Sequence, residues 1–193
     1  MSVGDFLLWE DAQSEKHEFV DGEIRSFAGG TNRHNLIAAA LVSMLRTMLR
    51  GRCRVTGSET RVVTASRSRY PDVVVTCDER DRLAAASVSH PILLIEVLSE
   101  GTHAIDREEK FDEYRLLPSL GEYVVVDSRR RWAQTLRRAG DVWVVSLPIE
   151  RGSLDLASVG AQLAYDEIYA DFMLVLRRIS ILAPMLTAFV AFL

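Results

Sequence analysis

The chain has 193 residues, 48% hydrophobic and 26% charged, with a mean hydropathy of +0.06, the make-up of one globular domain able to bury a proper core. A net charge of −4 excludes a globally basic nucleic-acid-binding protein, so any contact with a polyanion must rely on local arginines or on bound metal. Two cysteines without CxxC spacing, Cys53 and Cys77, argue against a zinc site and a disulfide framework; with an N-terminus that lacks a basic start and an apolar run, they make the cytoplasm the expected location.

Residues Val3 to Glu10 read as a short helix with Phe6, Leu7 and Trp9 on its apolar side. From Lys16 onward, Asp21-Gly22 between two alternating segments signals a hairpin. Gly29-Gly30 breaks the chain, and Thr31-Asn32 offers a helix N-cap. The helix that follows, from about Asn32 to Arg50, carries Ile37, Leu41, Met44, Leu45 and Met48 at three- and four-residue steps. His34 falls on that apolar side. Such a histidine is more often a hydrogen-bonded core or helix-entry residue than a ligand, but it would face the sheet and is a secondary site candidate.

Strands are expected around Val55, over Arg61-Val62-Val63, from Asp72, and over Ile92 to Leu98, the most apolar and most central. Between them, Ser66-Arg67-Ser68-Arg69 reads as a solvated hairpin tip or a phosphate contact, and Asp78 to Arg82 as a surface charge run. A helix from Asp106 to Leu117 leads to a strand over Glu122 to Asp127. An antiparallel meander follows through Trp132 to Arg137 and Val142 to Leu147, with Arg129-Arg130-Arg131 at a solvated turn. Residues 179–193 carry no charge and include Pro184; they are shorter than the roughly 20 residues of a bilayer-spanning helix, so a packed extension is expected rather than a membrane anchor.

The chemistry concentrates between Tyr70 and Lys110. Two apolar strands each carry one carboxylate where a buried strand should carry none: Asp72 in Tyr70-Pro71-Asp72-Val73-Val74-Val75, and Glu96 in Leu93-Leu94-Ile95-Glu96-Val97-Leu98. Side chains alternate along a strand, so the two carboxylates converge if the strands pair. Burying both unpaired would cost several kcal/mol, and the usual relief is a cation; hard oxygen donors point to Mg2+ or Mn2+. The plain alternative has Asp72 capping a turn after Pro71 and Glu96 paired with an arginine. On the next helix Asp106, Lys110 and Tyr114 share one stripe. Only Lys16 and Lys110 among the 23 basic residues are lysines, which makes these two compact ammonium groups informative. Ser99 and His103 suggest a Ser-His-Asp hydrolase only weakly, because no G-x-S-x-G elbow is present.

This order of elements resembles the PD-(D/E)XK nucleases, whose last motif is Glu, any residue, Lys; here Leu98 stands at the lysine position. More closely, residues 3 to 172 resemble the Uma-type family of restriction endonucleases. The likeness lies in His17 to Glu23, in Gly29-Gly30 with His34, in Tyr70 to Val75, in Glu96 to Ser99, in Asp106 with Lys110 and Tyr114, and in Glu122-Tyr123 with Val126-Asp127. Ser99-Glu100-Gly101-Thr102 replaces the family's Ser-Pro-Ser-Thr. The resemblance implies an α/β (α+β) fold, a restriction endonuclease-like mixed β-sheet flanked by helices, with an N-terminal hairpin and a C-terminal antiparallel meander. It implies a nuclease-like domain over residues 1–172 and an apolar extension over 173–193. It further implies a Mg2+- or Mn2+-dependent endonuclease acting on DNA, with Asp72, Glu96 and the Val97 carbonyl as metal ligands. Lys110, displaced to the helix, is the catalytic lysine; Asp106 holds it, and Glu18, His34 and Tyr114 are outer members. A homodimer is expected, since two strands are cut most simply by two sites. The rival expectation is a catalytically silent module that binds nucleic acid or protein on the same fold.

Overall fold

The computed structural model describes residues 1–27, 29–82, 86–99 and 104–170, with only the backbone described for Arg82 and residues 104–107. Helix α1 (Val3–Glu10) opens with a capping box: the Ser2 hydroxyl accepts from the Asp5 N–H and the Asp5 carboxylate accepts from the Ser2 N–H. Strands β1 (His17–Val20) and β2 (Glu23–Ser26) form the expected hairpin, whose turn holds Asp21 at φ 52° and Gly22 at φ 91°. Helix α2 (Asn32–Met48) is capped by the Thr31 hydroxyl, which accepts from the His34 N–H at 3.3 Å. Ile37, Leu41, Leu45 and Leu49 recur every four residues and are buried. At roughly 1.5–3 kcal/mol each, they hold the helix against the sheet and fix where its N-terminal turn lies.

The chain continues through β3 (Arg54–Gly57), β4 (Arg61–Val63), β5 (Ser68–Arg69), β6 (Val73–Thr76), α3 (Glu79–Arg82), β7 (Ser87–Val88), β8 (Leu93–Leu98) and α4 (Ala104–Tyr114). It then runs through β9 (Glu122–Asp127), β10 (Ala133–Ala139), β11 (Val142–Val145), β12 (Ser153–Leu156), β13 (Ala161–Ala164) and α5 (Tyr165–Ile168). The main sheet has the order β11-β10-β9-β8-β6-β3, and a second sheet the order β2-β1-β5-β4-β7. In the main sheet β8 and β9 are parallel and α4 makes the crossover between them, as a parallel pair requires. The strands β9, β10 and β11 are the antiparallel meander expected from the sequence.

Strand β8 is buried on both faces. Leu93, Ile95 and Val97 pack with α2, the β12–β13 hairpin and α5, while Leu94 packs with Tyr114, Leu117, Tyr123 and Val125 on the other side. This is why it reads as a continuous apolar run. The pairing of β6 with β8 sets Val73 opposite Ile95 and Val74 opposite Leu94, and the same register brings Asp72 to Glu96.

Several expectations are corrected. Cys53 and Cys77 are not two separate thiols but are bonded, with Cα atoms 4.2 Å apart, because they flank the paired Arg54 and Thr76 on adjacent antiparallel strands. Arg67 and Arg69 are not a solvated tip: Arg69 is fully buried among Glu18, Glu109 and Glu113, and Arg67 binds Asp21 and Glu113. Asp81 is buried rather than on a charged surface, accepting from the Ser89 and His90 N–H groups at 3.1 and 3.0 Å. Arg129 and Arg130, by contrast, are exposed, as expected of a solvated turn, while also pairing with Asp127, and Arg131 pairs with Asp166. The apolar extension 173–193, His103 and the altered loop 100–102 lie outside the described residues, and no described helix is long and apolar enough to cross a membrane.

Candidate active site

Asp72 stands just before β6, where the turn after Pro71 enters the sheet, and is 6% exposed. Its Oδ2 accepts from the Val97 N–H at 2.7 Å and lies 3.0 Å from His34 Nε2. One carboxylate thus bridges β8 and the first turn of α2. His34 is carried there by the Thr31 cap and by a close approach of Gly30, where a Cβ would fall 2.2 Å from His34 Nδ1. Burial opposes the positive charge of this histidine, but the hydrogen bond to Asp72, the charge of Asp72, and Asn35 and Glu96 outweigh it and raise its pKa.

Glu96, also buried, receives Lys110 Nζ at 3.0 Å on one oxygen and the Tyr114 hydroxyl at 3.4 Å on the other. Lys110 and Tyr114 lie one turn apart on α4, so a single helix face serves a single carboxylate. Burial pushes the Glu96 pKa up to about 7; Lys110 counters this, and the neighbouring Asp72 charge reinforces it. The Tyr114 hydroxyl is pushed well above its ordinary range, chiefly by burial and then by Glu96 and Glu113, so it stays protonated and donates.

Of the residues singled out from the sequence, Asp72, Glu96, Lys110, Tyr114 and His34 thus come together. Glu18 lies beside them, accepting from the Tyr70 N–H at 3.2 Å and from Arg69 at 3.3 Å. Asp106 sits one turn before Lys110 on α4, and its side chain lies outside the described residues. Sequence reasoning missed Arg69, which ties β5 to α4 through Glu109 and Glu113 at 2.7 and 2.6 Å and holds Glu18 as well. It also left Lys16 unplaced. That lysine lines the cleft of about 520 Å3 that opens onto His34 and Asp72, bound to Glu59 at 2.6 Å. No local signal marks Arg69, because its three carboxylates come from β1 and α4, far away in the chain.

Among the described residues, no group of three His, Cys, Asp or Glu side chains is placed to ligate one ion. Two buried carboxylates of raised mutual repulsion, with backbone oxygen and water completing a shell, still suit a hard divalent cation, which takes few protein ligands.

A family model described as "Uma2: Putative restriction endonuclease" matches residues 3–164, which include every one of these side chains. The chain belongs to the Uma2 family. An uncharacterized Synechocystis protein, slr1290, is 35% identical over 173 residues, covering 88% of this chain and 91% of its own. A second one, sll1609, is 30% identical over 146 residues, covering 73% and 82%. The fold is also that of a crystal structure described as a putative nuclease belonging to DUF820 from Anabaena variabilis: TM-score 0.72, 15% identity, 88% of this chain and 98% of the other covered. The mixed sheet flanked by helices is therefore a restriction endonuclease-like fold, and this Uma2 member is built on it.

Proposed function

We propose that this Uma2 protein is a metal-dependent endonuclease that hydrolyses phosphodiester bonds in DNA, acting as a homodimer. The observation that carries the reading is the convergence of Asp72 and Glu96 at the β6–β8 register, with Lys110 delivered to Glu96 from α4. The family and the fold of a described nuclease support it.

Asp72, Glu96 and the Val97 carbonyl would hold Mg2+ or Mn2+. When bound, such an ion lowers the pKa of water and neutralises charge on a phosphate. The protein's own groups do the rest. His34 and the Val97 N–H fix the rotamer of Asp72, and Tyr114 fixes that of Glu96. Lys110 offers a proton-bearing ammonium beside Glu96, where it can orient the attacking water and stabilise charge that develops on the phosphate oxygens. That position replaces the lysine which the superfamily carries on the strand, where Leu98 stands here.

The silent-module reading is favoured by one observation: both carboxylates already accept hydrogen bonds from protein donors, so neither is left without a partner when no ligand is bound. Supercoiled-plasmid cleavage with Mg2+ or Mn2+ separates the two. The native chain should nick and linearise, and Asp72→Ala, Glu96→Ala and Lys110→Ala should each lose about a hundredfold or more in rate. A folded native protein that leaves plasmid, single-stranded DNA and RNA uncut overturns the nuclease reading; undiminished cutting by Lys110→Ala overturns that residue's role.

A further inference from the structure

In an acidic chain of net charge −4, residues 24–58 hold six arginines and no Asp or Glu, so the remainder carries −10. Most arginines elsewhere are neutralised in place: Arg61 by Asp11, Arg67 by Asp21, Arg80 by Asp78, Arg115 by Asp112, Arg137 by Glu122. Arg46, Arg50 and Arg52 in this stretch are not. Arg46 and Arg50 are exposed and have no ion pair among the described residues. Arg52 donates to the Val159 carbonyl at 2.6 Å and Arg54 to the Asp81 carbonyl at 2.9 Å. The Arg52 contact orients a guanidinium without cancelling its charge.

The charge has a place. The cleft at His34 and Asp72 is lined along α2 by Asn35, Ala38 and Val42, and across from it by Gly57 and Ser58. A second cleft of about 680 Å3 continues on the same two elements, between Ser43, Arg46 and Arg50 on one side and Arg54 and Thr56 on the other. Because Val42 adjoins Ser43 on α2 and Gly57 adjoins Thr56 on β3, the two clefts follow one another as a groove along these elements, from the carboxylate site to the arginines. The small residues at its site end leave room for a chain. Besides Asp72, the carboxylate lining either cleft is Glu59, held by Lys16. With 1.5 Å of rise per residue, His34 and Arg46 are roughly 18 Å apart along the helix, about five steps of a B-form DNA strand.

We propose that the α2–β3 groove is the path of the DNA backbone away from the Asp72–Glu96 site, with Arg46 and Arg50 binding phosphates about five nucleotides from the scissile bond. The proposal rests on the nuclease reading for its starting point, and it supplies what the net charge denies: a local attraction for a polyanion, directed along one side of the site. The arginines act by positioning, through charge and through bonds to phosphate oxygens, and they read no sequence.

The test is binding of a labelled 20-nucleotide DNA, single-stranded and duplex, by the full chain without divalent metal over a salt series, beside the plasmid assay. The Arg46→Gln/Arg50→Gln variant should bind on the order of tenfold more weakly at 0.1 M salt, and its slope of log affinity against log salt should be shallower by about 1.4 for single strands and about 1.8 for duplex. Its melting temperature should be native, since both side chains are exposed. Arg115→Gln/Arg151→Gln, which removes the same charge elsewhere, should change the slope far less. A native slope in the Arg46/Arg50 variant, an equal loss in the control variant, or a native chain that binds no DNA overturns the track. Binding that depends on Arg46 and Arg50 in a protein that cuts nothing keeps the track and removes the nuclease reading; plasmid cleavage with a native slope in the variant does the reverse.

Discussion

At the scale of single residues, Glu96 is held in an environment that resists its charge. Its folded-state pKa, about 7, lies above the ordinary 4.5, so the folded chain binds this proton more tightly than the unfolded chain does. Between about pH 4.5 and 7, ionisation therefore costs the fold stability as pH rises. Glu96→Gln removes that cost. Urea unfolding should show the variant more stable than native by about 1–3 kcal/mol at pH 8 and equal to it near pH 4, with loss of the Lys110 bond setting the lower figure. A difference that does not change with pH would place the pKa back in the usual carboxylate range. Gly30 makes a second point at this scale. Gly30→Ala places a methyl carbon against the His34 ring, which must leave Asp72. A loss of roughly 1–3 kcal/mol is expected, together with a fall in the His34 pKa followed by NMR, since its bond to Asp72 is the largest influence raising it.

At the scale of elements, the site depends on three that are distant in sequence. The end of β6 and β8 supply carboxylates, α4 supplies Lys110 and Tyr114, and α2 supplies His34. Arg69 holds this arrangement from beneath, with Glu18 on β1 and Glu109 and Glu113 on α4. Burial opposes its charge, and those carboxylates more than restore it, so its pKa is raised. Arg69→Ala should cost about 3–5 kcal/mol by leaving buried carboxylates unpaired. If α4 is positioned by this residue, the variant should also lose nuclease activity at temperatures where circular dichroism reports it folded.

At the scale of the whole molecule, the mixed sheet sets two carboxylates at one edge of a buried layer, and an arginine-bearing groove leads away from them. A divalent ion that binds the folded state alone must stabilise all of it. At a hundred times its dissociation constant, Mn2+ should add about 2.7 kcal/mol, a rise of several degrees in melting temperature. Asp72→Asn and Glu96→Gln should abolish the rise, whereas Arg46→Gln should keep it. An equal rise in all three variants would mean that the ion binds elsewhere.

The local rules of this chain were legible in its sequence. The α2 stripe of Ile37, Leu41 and Leu45, the Asp21-Gly22 turn, and a carboxylate in each of two apolar strands follow from periodicity, turn chemistry and the cost of buried charge, which need only near neighbours. Pairing across the chain was not legible. Arg69 looks like any turn arginine until the fold surrounds it with carboxylates from β1 and α4; Cys53 and Cys77 are 24 residues apart and meet only through the β3–β6 register. Asp81 is buried because Ser89 and His90 fold back over it. In each case the environment of a polar group is set by which strands become neighbours, a choice made by the packing of the whole core and carried by no single segment.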